Sequence, residues 1–200
     1  MLTLYDFKSS SNGYKVRLLL HQLRQPFIYL ETNILKGESR TPQFLEMNRN
    51  GKVPTLALED GRYLAESNAI LLYLAEGTGF LPSDPWQRSK VHEWLFFEQY
   101  SHEPNIATPR FWKIYLRVGE YDERELKRRH QAGRDALGVM ERHLRENEFF
   151  SRQYGVVNIA LYAYTHKAHE GGQTLSDFPA IETWLAWVRA QPGHVTVEVV

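Results

Sequence analysis

The sequence contains no cysteine. Structural disulfides, cysteine-based metal sites and a thiol nucleophile of the protein's own are therefore excluded. The chain also lacks a charge bias: 24 Lys and Arg stand against 24 Asp and Glu, for a net formal charge of zero. That balance argues against nucleic acid or an anionic membrane as the main partner. No apolar run approaches the roughly 20 residues that a bilayer-spanning helix needs. The opening residues, Leu2-Thr3-Leu4-Tyr5-Asp6-Phe7, read as a strand and not as a signal peptide with a basic start. A cytoplasmic location is the expectation. The 200 residues suit one or two domains with ample core.

The informative segment is Asn50-Gly51-Lys52-Val53-Pro54-Thr55-Leu56, followed by Ala65-Glu66-Ser67-Asn68-Ala69-Ile70. A Val-Pro pair between an Asn-Gly turn and a short apolar strand forces Val53 extended, and Pro54 cannot donate a sheet hydrogen bond. Val53 is expected at a sheet edge, with backbone N–H and C=O free to take another peptide as an added strand. Glu66-Ser67 opens a helix, whose start offers free N–H groups and a positive dipole end to an anion. Together these features describe a site for a small charged peptide.

Residues 1–76 alternate strands and helices: strand 2–7, loop 9–13, helix 14–23, strand 27–31, a short helix after Pro42, an Asp-Gly hairpin over 55–64, and helix 67–76. An α/β crossover followed by an antiparallel hairpin predicts a mixed four-stranded sheet. Residues 77–85, rich in Gly and Pro, read as a linker. Residues 86–200 read as all-helical. Helix 86–100 is expected to break at Pro104 and Pro109 before resuming over 106–116. A charged helix over 122–147, a wholly apolar one over 156–169 and a last one over 179–189, capped by Ser176 or Asp177, follow. Tyr5 reads as a structural strand residue. His166, His169 and Glu170 offer no third ligand at metal spacing, so His166 reads as a helix-end cation.

This order and these motifs, with the run Asn158-Ile159-Ala160-Leu161-Tyr162-Ala163-Tyr164-Thr165-His166, resemble the cytosolic glutathione transferase family along essentially the whole chain. The resemblance implies an α/β thioredoxin-like domain over 1–76 and an all-α helical domain over 86–200. It implies a cis Pro54, pairing of Val53 with the cysteinyl backbone of glutathione, Glu66 and Ser67 on the γ-glutamyl ammonium and carboxylate, and Lys52 near the glycyl carboxylate. Around Ser10-Ser11-Asn12-Gly13-Tyr14-Lys15-Val16 the chain looks closest to the bacterial nu-type transferases, and also to the fungal nitrogen-regulator prion protein, with some zeta- and theta-like character. The nu-type pattern implies Ser10 and Asn12 as the catalytic, thiol-facing groups. Arg110, Phe111, Trp112 and Tyr115 are candidates to line a second-substrate pocket. One departure concerns the buried helix, which opens with Gly155 and Asn158 where the family carries Ser or Thr and Asp, for about 1 kcal/mol less capping support.

A free thiol has a pKa of about 8.5, and lowering it by ~2 units takes about 2.7 kcal/mol of selective stabilisation. A hydrogen bond to a charged acceptor supplies roughly 1.5–3 kcal/mol, and a helix N-terminus roughly 0.3–1 kcal/mol. Glutathione then serves as co-substrate and nucleophile, without a metal, against an electrophilic small molecule or a disulfide. The implied protein is a cytoplasmic homodimer engaged in detoxification or disulfide reduction, with no nucleic-acid or membrane partner. The alternative is a transferase-like binding or regulatory module without turnover.

Overall fold

The computed structural model describes every residue from Met1 to Val200. They form two compact units, Met1–Thr78 with Gln191–Val200, and Gly79–Ala190. The first unit contains β1 (Leu2–Asp6), α1 (Ser11–Gln22), β2 (Phe27–Glu31), α2 (Pro42–Met47), β3 (Thr55–Ala57), β4 (Tyr63–Ala65) and α3 (Ser67–Ala75). The sheet runs β2-β1-β3-β4, with β1 and β2 parallel and the other neighbours antiparallel. This is the mixed thioredoxin-like sheet that the crossover and hairpin predict. Leu2 and Leu4 of β1, Val16 and Leu20 of α1, Leu56 of β3 and Ile70 of α3 form its core. Tyr5 packs edge-on against Phe44 of α2, a structural role.

Two local expectations change. Helix α1 starts three residues early, because Ser10 caps it: its Oγ accepts the Gly13 N–H at 3.3 Å. Asn12 and Gly13 thus lie in the first helical turn and not in a loop. Gly13 is required there, since a Cβ would fall 1.7 Å from Asp6 Oδ1. Val53, in turn, is not on an edge strand. It precedes β3, an inner strand whose pairing begins at Thr55. Its backbone is left over because the ladder ends beside it.

The final ten residues do not extend the helical part as expected; they pack within the first unit. Two buried side chains of α1 draw them there. The Tyr14 hydroxyl donates to the Val195 carbonyl at 2.6 Å. The Arg17 guanidinium donates through Nη1 to the carbonyls of Val197 and Val199 at 2.7 and 2.8 Å, and through Nη2 to that of Lys8 at 2.7 Å. Its Nε meets Asp6 Oδ2 at 3.1 Å, and neither side chain is exposed. Burial pushes the Asp6 carboxyl up to about 7, against the pull of Arg17, and Asp6 Oδ1 has no hydrogen-bond partner.

The second unit contains α4 (Pro85–Phe97), α5 (Glu103–Tyr115), α6 (Glu123–Leu144), α7 (Val156–Thr165) and α8 (Pro179–Arg189). Asp84 caps α4 by accepting the Gln87 N–H at 2.8 Å. The break expected at Pro104 does not occur. A π-helical turn, Glu98–His102, carries the chain into α5, where Pro104 occupies the first turn and Pro109 lies inside the helix. All ten residues of α7 are buried, as its apolar composition predicts. Its start is solved differently from a capping box. The Val156 N–H donates to the Phe80 carbonyl at 3.1 Å, and Gly155 approaches so closely that a Cβ would sit 2.4 Å from that oxygen. Asn158 Oδ1 accepts from Trp184 Nε1 at 3.0 Å and from the Phe150 N–H at 3.4 Å. Neither Ser176 nor Asp177 caps α8. The Glu141 carboxylate of α6 accepts from Ala180 and Ile181 at 3.3 and 3.1 Å instead.

Gly155→Ala is expected to break the Phe80 contact at a cost on the order of 1–3 kcal/mol, lowering Tm by several degrees. Gly138→Ala, in α6 with its nearest neighbour 3.6 Å away, is expected to raise stability by roughly 0.5–1 kcal/mol. Calorimetric melting of both variants checks the opposite signs. Asp6 gives a pH dependence. Its folded pKa stands above its unfolded value, so between about 4 and about 7 the unfolded state has lost a proton that the folded state keeps. The stability of the wild type relative to Asp6→Asn should therefore fall as pH rises through that window and level off above it, read from urea midpoints across pH.

Candidate functional site

Three segments of the first unit supply the candidate residues. The first is the start of α1. Ser10 stands at its cap, accepting a backbone N–H through Oγ while its own proton stays available to donate. Asn12 follows in the first turn, where the amides at a helix start favour negative charge.

The second segment approaches β3. The Val53–Pro54 bond is cis, as the resemblance implies. The preceding turn is held by Asn48, which sequence reasoning missed. Its Nδ2 donates to the Lys52 carbonyl at 2.8 Å and to Thr55 Oγ1 at 3.0 Å, and its Oδ1 accepts from the Asn50 N–H at 3.0 Å. Gly51 adopts φ +60°, with Ser39 O and Arg40 Nη1 2.8 Å from where a Cβ would lie. The only signal for Asn48 was its place two residues before an Asn-Gly turn. Val53 makes no backbone hydrogen bond within the chain, so its N–H and C=O can accept an added strand. The Lys52 side chain is exposed.

The third segment enters α3. Glu66 takes φ +69° and ψ 114°, a conformation that costs a non-glycine residue on the order of 1–3 kcal/mol. It makes no side-chain cap. Asn50 Nδ2 reaches its Oε1 at 3.5 Å, joining the second segment to the third. The start of α3 is therefore not closed by its own cap, and a helix N-terminus attracts a carboxylate.

A side-chain chain links the first and third segments. Ser67 Oγ donates to Asn12 Oδ1 at 3.1 Å. Lys15, fully buried, points Nζ at Ser67 Oγ at 3.3 Å and at Asn68 Oδ1 at 3.5 Å. Sequence reading quoted Lys15 only as part of a motif and gave it no role. Its spacing from Asn12 was visible, but its burial beside α3 depends on how α1 and α3 pack. In sum, the structure ties Asn12 to Ser67, and Glu66 to the loop before Val53. Ser10 lies two residues before Asn12. The set offers the N–H and C=O of Val53, the start of α3 without a side-chain cap, and the hydroxyl of Ser10.

The four second-substrate candidates lie on α5 and do not share one face. Arg110 and Trp112 are nearly opposite at helical spacing. Arg110 is buried and paired with Glu170 at 2.6 Å. Trp112 stacks on Tyr121 at 5.6 Å and beneath Arg129 at 5.7 Å. Phe111 and Tyr115 form a separate half-buried pair with centroids 5.1 Å apart. His166 is not a helix-end cation: its Nδ1 bonds the Tyr162 carbonyl at 2.7 Å, and burial lowers its pKa to about 4. No group of three His, Asp or Glu side chains is placed to hold a metal ion.

The family model for the glutathione S-transferase N-terminal domain matches residues 4–79. A possible glutathione S-transferase from Rhodopseudomonas palustris superposes with a TM-score of 0.96 at 44% identity, over 100% of this chain and 91% of that one. A glutathione S-transferase from Pseudomonas fluorescens gives 0.94 at 46% identity, over 98% of both chains. A glutathione transferase from Burkholderia graminis, solved with two glutathione molecules per subunit, gives 0.84 at 27% identity, over 96% of this chain and 85% of that one. The disulfide-bond oxidoreductase YfcG of Escherichia coli is 26% identical over 96% of this chain and 92% of its own. Protein URE2 of Meyerozyma guilliermondii is 36% identical over 56% of this chain, which spans only 40% of that protein's length. With its sheet, its cis Val53–Pro54 turn and two full-length structural relatives above 40% identity, the chain belongs to the glutathione transferase family.

Proposed function

We propose that this protein binds glutathione through the three segments above and activates its thiol for attack on an electrophilic carbon or a disulfide. The observation that carries the reading is the bond from Ser67 to Asn12, which joins a carboxylate-binding helix start to the turn that would face sulfur. In this reading Val53 pairs with the cysteinyl backbone. The backbone N–H groups at the start of α3, that of Ser67 among them, hold the γ-glutamyl carboxylate, Glu66 its ammonium, and Lys52 the glycyl end. The glutathione-bound Burkholderia relative supports the ligand, and YfcG supports the disulfide chemistry.

With no cysteine in the chain, the reacting sulfur belongs to the ligand. Asn12 Oδ1 is engaged by Ser67, and in this reading the Nδ2 end of the amide is the donor to sulfur. Ser10 adds its hydroxyl proton, and the amides of α1 add the dipole. One charge-assisted bond of roughly 1.5–3 kcal/mol and a helix end of roughly 0.3–1 kcal/mol together cover the ~2.7 kcal/mol needed for a two-unit drop in thiol pKa. The thiol proton leaves to water, and no general base is required. In conjugation the thiolate forms an S–C bond and the leaving group departs with its electron pair. In disulfide reduction the thiolate attacks one sulfur and the S–S bond breaks, releasing one thiolate. A second glutathione then attacks the mixed disulfide, so two glutathiones are oxidised to one disulfide as the substrate disulfide is reduced to two thiols.

In this reading Phe111 and Tyr115, a half-buried ring pair, offer apolar surface to a second substrate, while Arg110 and Trp112 are engaged by Glu170, Tyr121 and Arg129 within their own unit. The reading extends to a homodimer working in the cytoplasm. Phe96 and Tyr100, exposed at 73% and 87%, are surface that a second copy would cover.

Thiolate absorbance of bound glutathione against pH tests the mechanism. A Ser10→Ala/Asn12→Ala double variant is expected to raise the bound thiol pKa by roughly one to two units and to cut turnover of an aromatic halide and of a mixed disulfide alike. An unchanged titration would sink the assignment. Glutathione uptake by the wild type with neither reaction catalysed would favour a binding module instead.

A further inference from the structure

Lys15 is a cation taken wholly out of water. A buried charge is costly unless polar groups meet it, and among the groups it meets are Ser67 and Asn68, the first two residues of α3. An ammonium only donates. Ser67 Oγ, 3.3 Å away, must therefore accept from it, which leaves the single hydroxyl proton to go elsewhere. It goes to Asn12 Oδ1 at 3.1 Å. The direction of the chain is thus set at one end, Lys15 to Ser67 to Asn12. A reversed Asn12 amide would turn its N–H2, the positive end of the group, toward the ammonium side of Ser67.

We infer that Lys15 is a positioning residue that orients the Asn12 amide through the Ser67 hydroxyl, turning N–H2 toward the reacting sulfur. The inference rests on the glutathione reading above and adds to it a residue that never touches the ligand's sulfur. It also gives Ser67 a second duty. The residue whose backbone N–H faces the carboxylate of the ligand sets, through its hydroxyl, the donor that faces its thiol, so binding at one end of the tripeptide and activation at the other meet in one residue. Cooperative strengthening along such a chain is expected in a low-dielectric interior.

The test uses Lys15→Met, Lys15→Gln, Ser67→Ala and the Lys15→Met/Ser67→Ala double variant, each saturated with glutathione. Three quantities are read: glutathione affinity by calorimetry, bound thiol pKa by thiolate absorbance, and kcat against KM with an aromatic halide. Lys15→Met is expected to raise the thiol pKa by about one unit and to lower kcat up to about tenfold below that pKa, with a smaller change in KM for glutathione. Lys15→Gln keeps a donor and loses the charge, so it should fall between wild type and Lys15→Met; it decides the matter if Lys15→Met shows no cooperative unfolding. The double variant should match Ser67→Ala alone, because both substitutions cut one chain. A wild-type thiol pKa in either folded Lys15 variant, or additive shifts in the double variant, overturns the assignment while the glutathione reading stands. If the wild type takes up no glutathione, that reading falls and the assignment with it.

Discussion

Helix α1 carries two cations, Lys15 and Arg17, into an interior where neither is exposed, and the arrangement of the first unit follows from how each is satisfied. They sit two apart, so they leave the helix in different directions. Arg17 turns to Asp6 of β1, to the Lys8 carbonyl and to the carbonyls of Val197 and Val199. Lys15 turns to the start of α3. One cation fastens the β1–α1 connection and the end of the chain to the helix. The other joins the helix to the residues read here as the carboxylate site. A guanidinium suits the first task because its planar fork offers several fixed donors at once. A compact ammonium suits the second, where one hydroxyl has to be pointed.

This division explains why the segment from Asp6 to Gly13 is so tightly specified. Asp6 lies against the Gly13 backbone with no room for a Cβ and pairs with Arg17. The loop between them ends in Ser10, whose hydroxyl is spent in part on capping the helix. Capping and chemistry are often set against each other when a Ser-rich loop precedes a helix. Here the geometry permits both, since the oxygen accepts a backbone N–H and the proton is still free to donate. Asn12 is therefore presented by the capped first turn of a helix, as the proposed role of preorganised donor requires.

Much of this was legible in the sequence, and the parts that were not share a cause. The sheet, its mixed topology and the helices over 67–75, 85–97, 123–144, 156–165 and 179–189 announce themselves through periodicity, Pro, Gly and cap residues, all signals that act within a few positions. The misread features need partners distant in sequence. The tail 191–200 goes to the first unit because of two α1 side chains about 180 residues away. The α8 cap is a carboxylate 39 residues upstream. Gly155 is dictated by the Phe80 carbonyl and Asn158 by Trp184. Pro104 and Pro109 look like breakers locally, yet Pro104 directly follows a π turn and Pro109 lies inside α5 without ending it. The site divides along the same line. Val53, Pro54, Glu66, Ser67 and Asn12 lie in short motifs that could be quoted from the chain. Asn48 and Lys15 acquire meaning only once α1, α3 and the turn before β3 are folded together.

The absence of cysteine ties these threads to chemistry. A protein that carries its own redox sulfur can tune it through the covalent frame around it. A protein that borrows the sulfur must recreate that environment each time the ligand enters, so its donors have to be aimed before binding, and each has to be held by something else. Within the first unit the aiming is hierarchical. The sheet and Arg17 place α1, α1 and α3 place Lys15 and Ser67, and on the inference drawn above these in turn orient Asn12. Glu66 adds a strained backbone at the point where α3 must begin uncapped, a cost tolerated where a bound carboxylate would supply the missing cap. On the proposed reading, the energy of folding is in this way converted into orientation at a site whose reactive atom is not part of the chain.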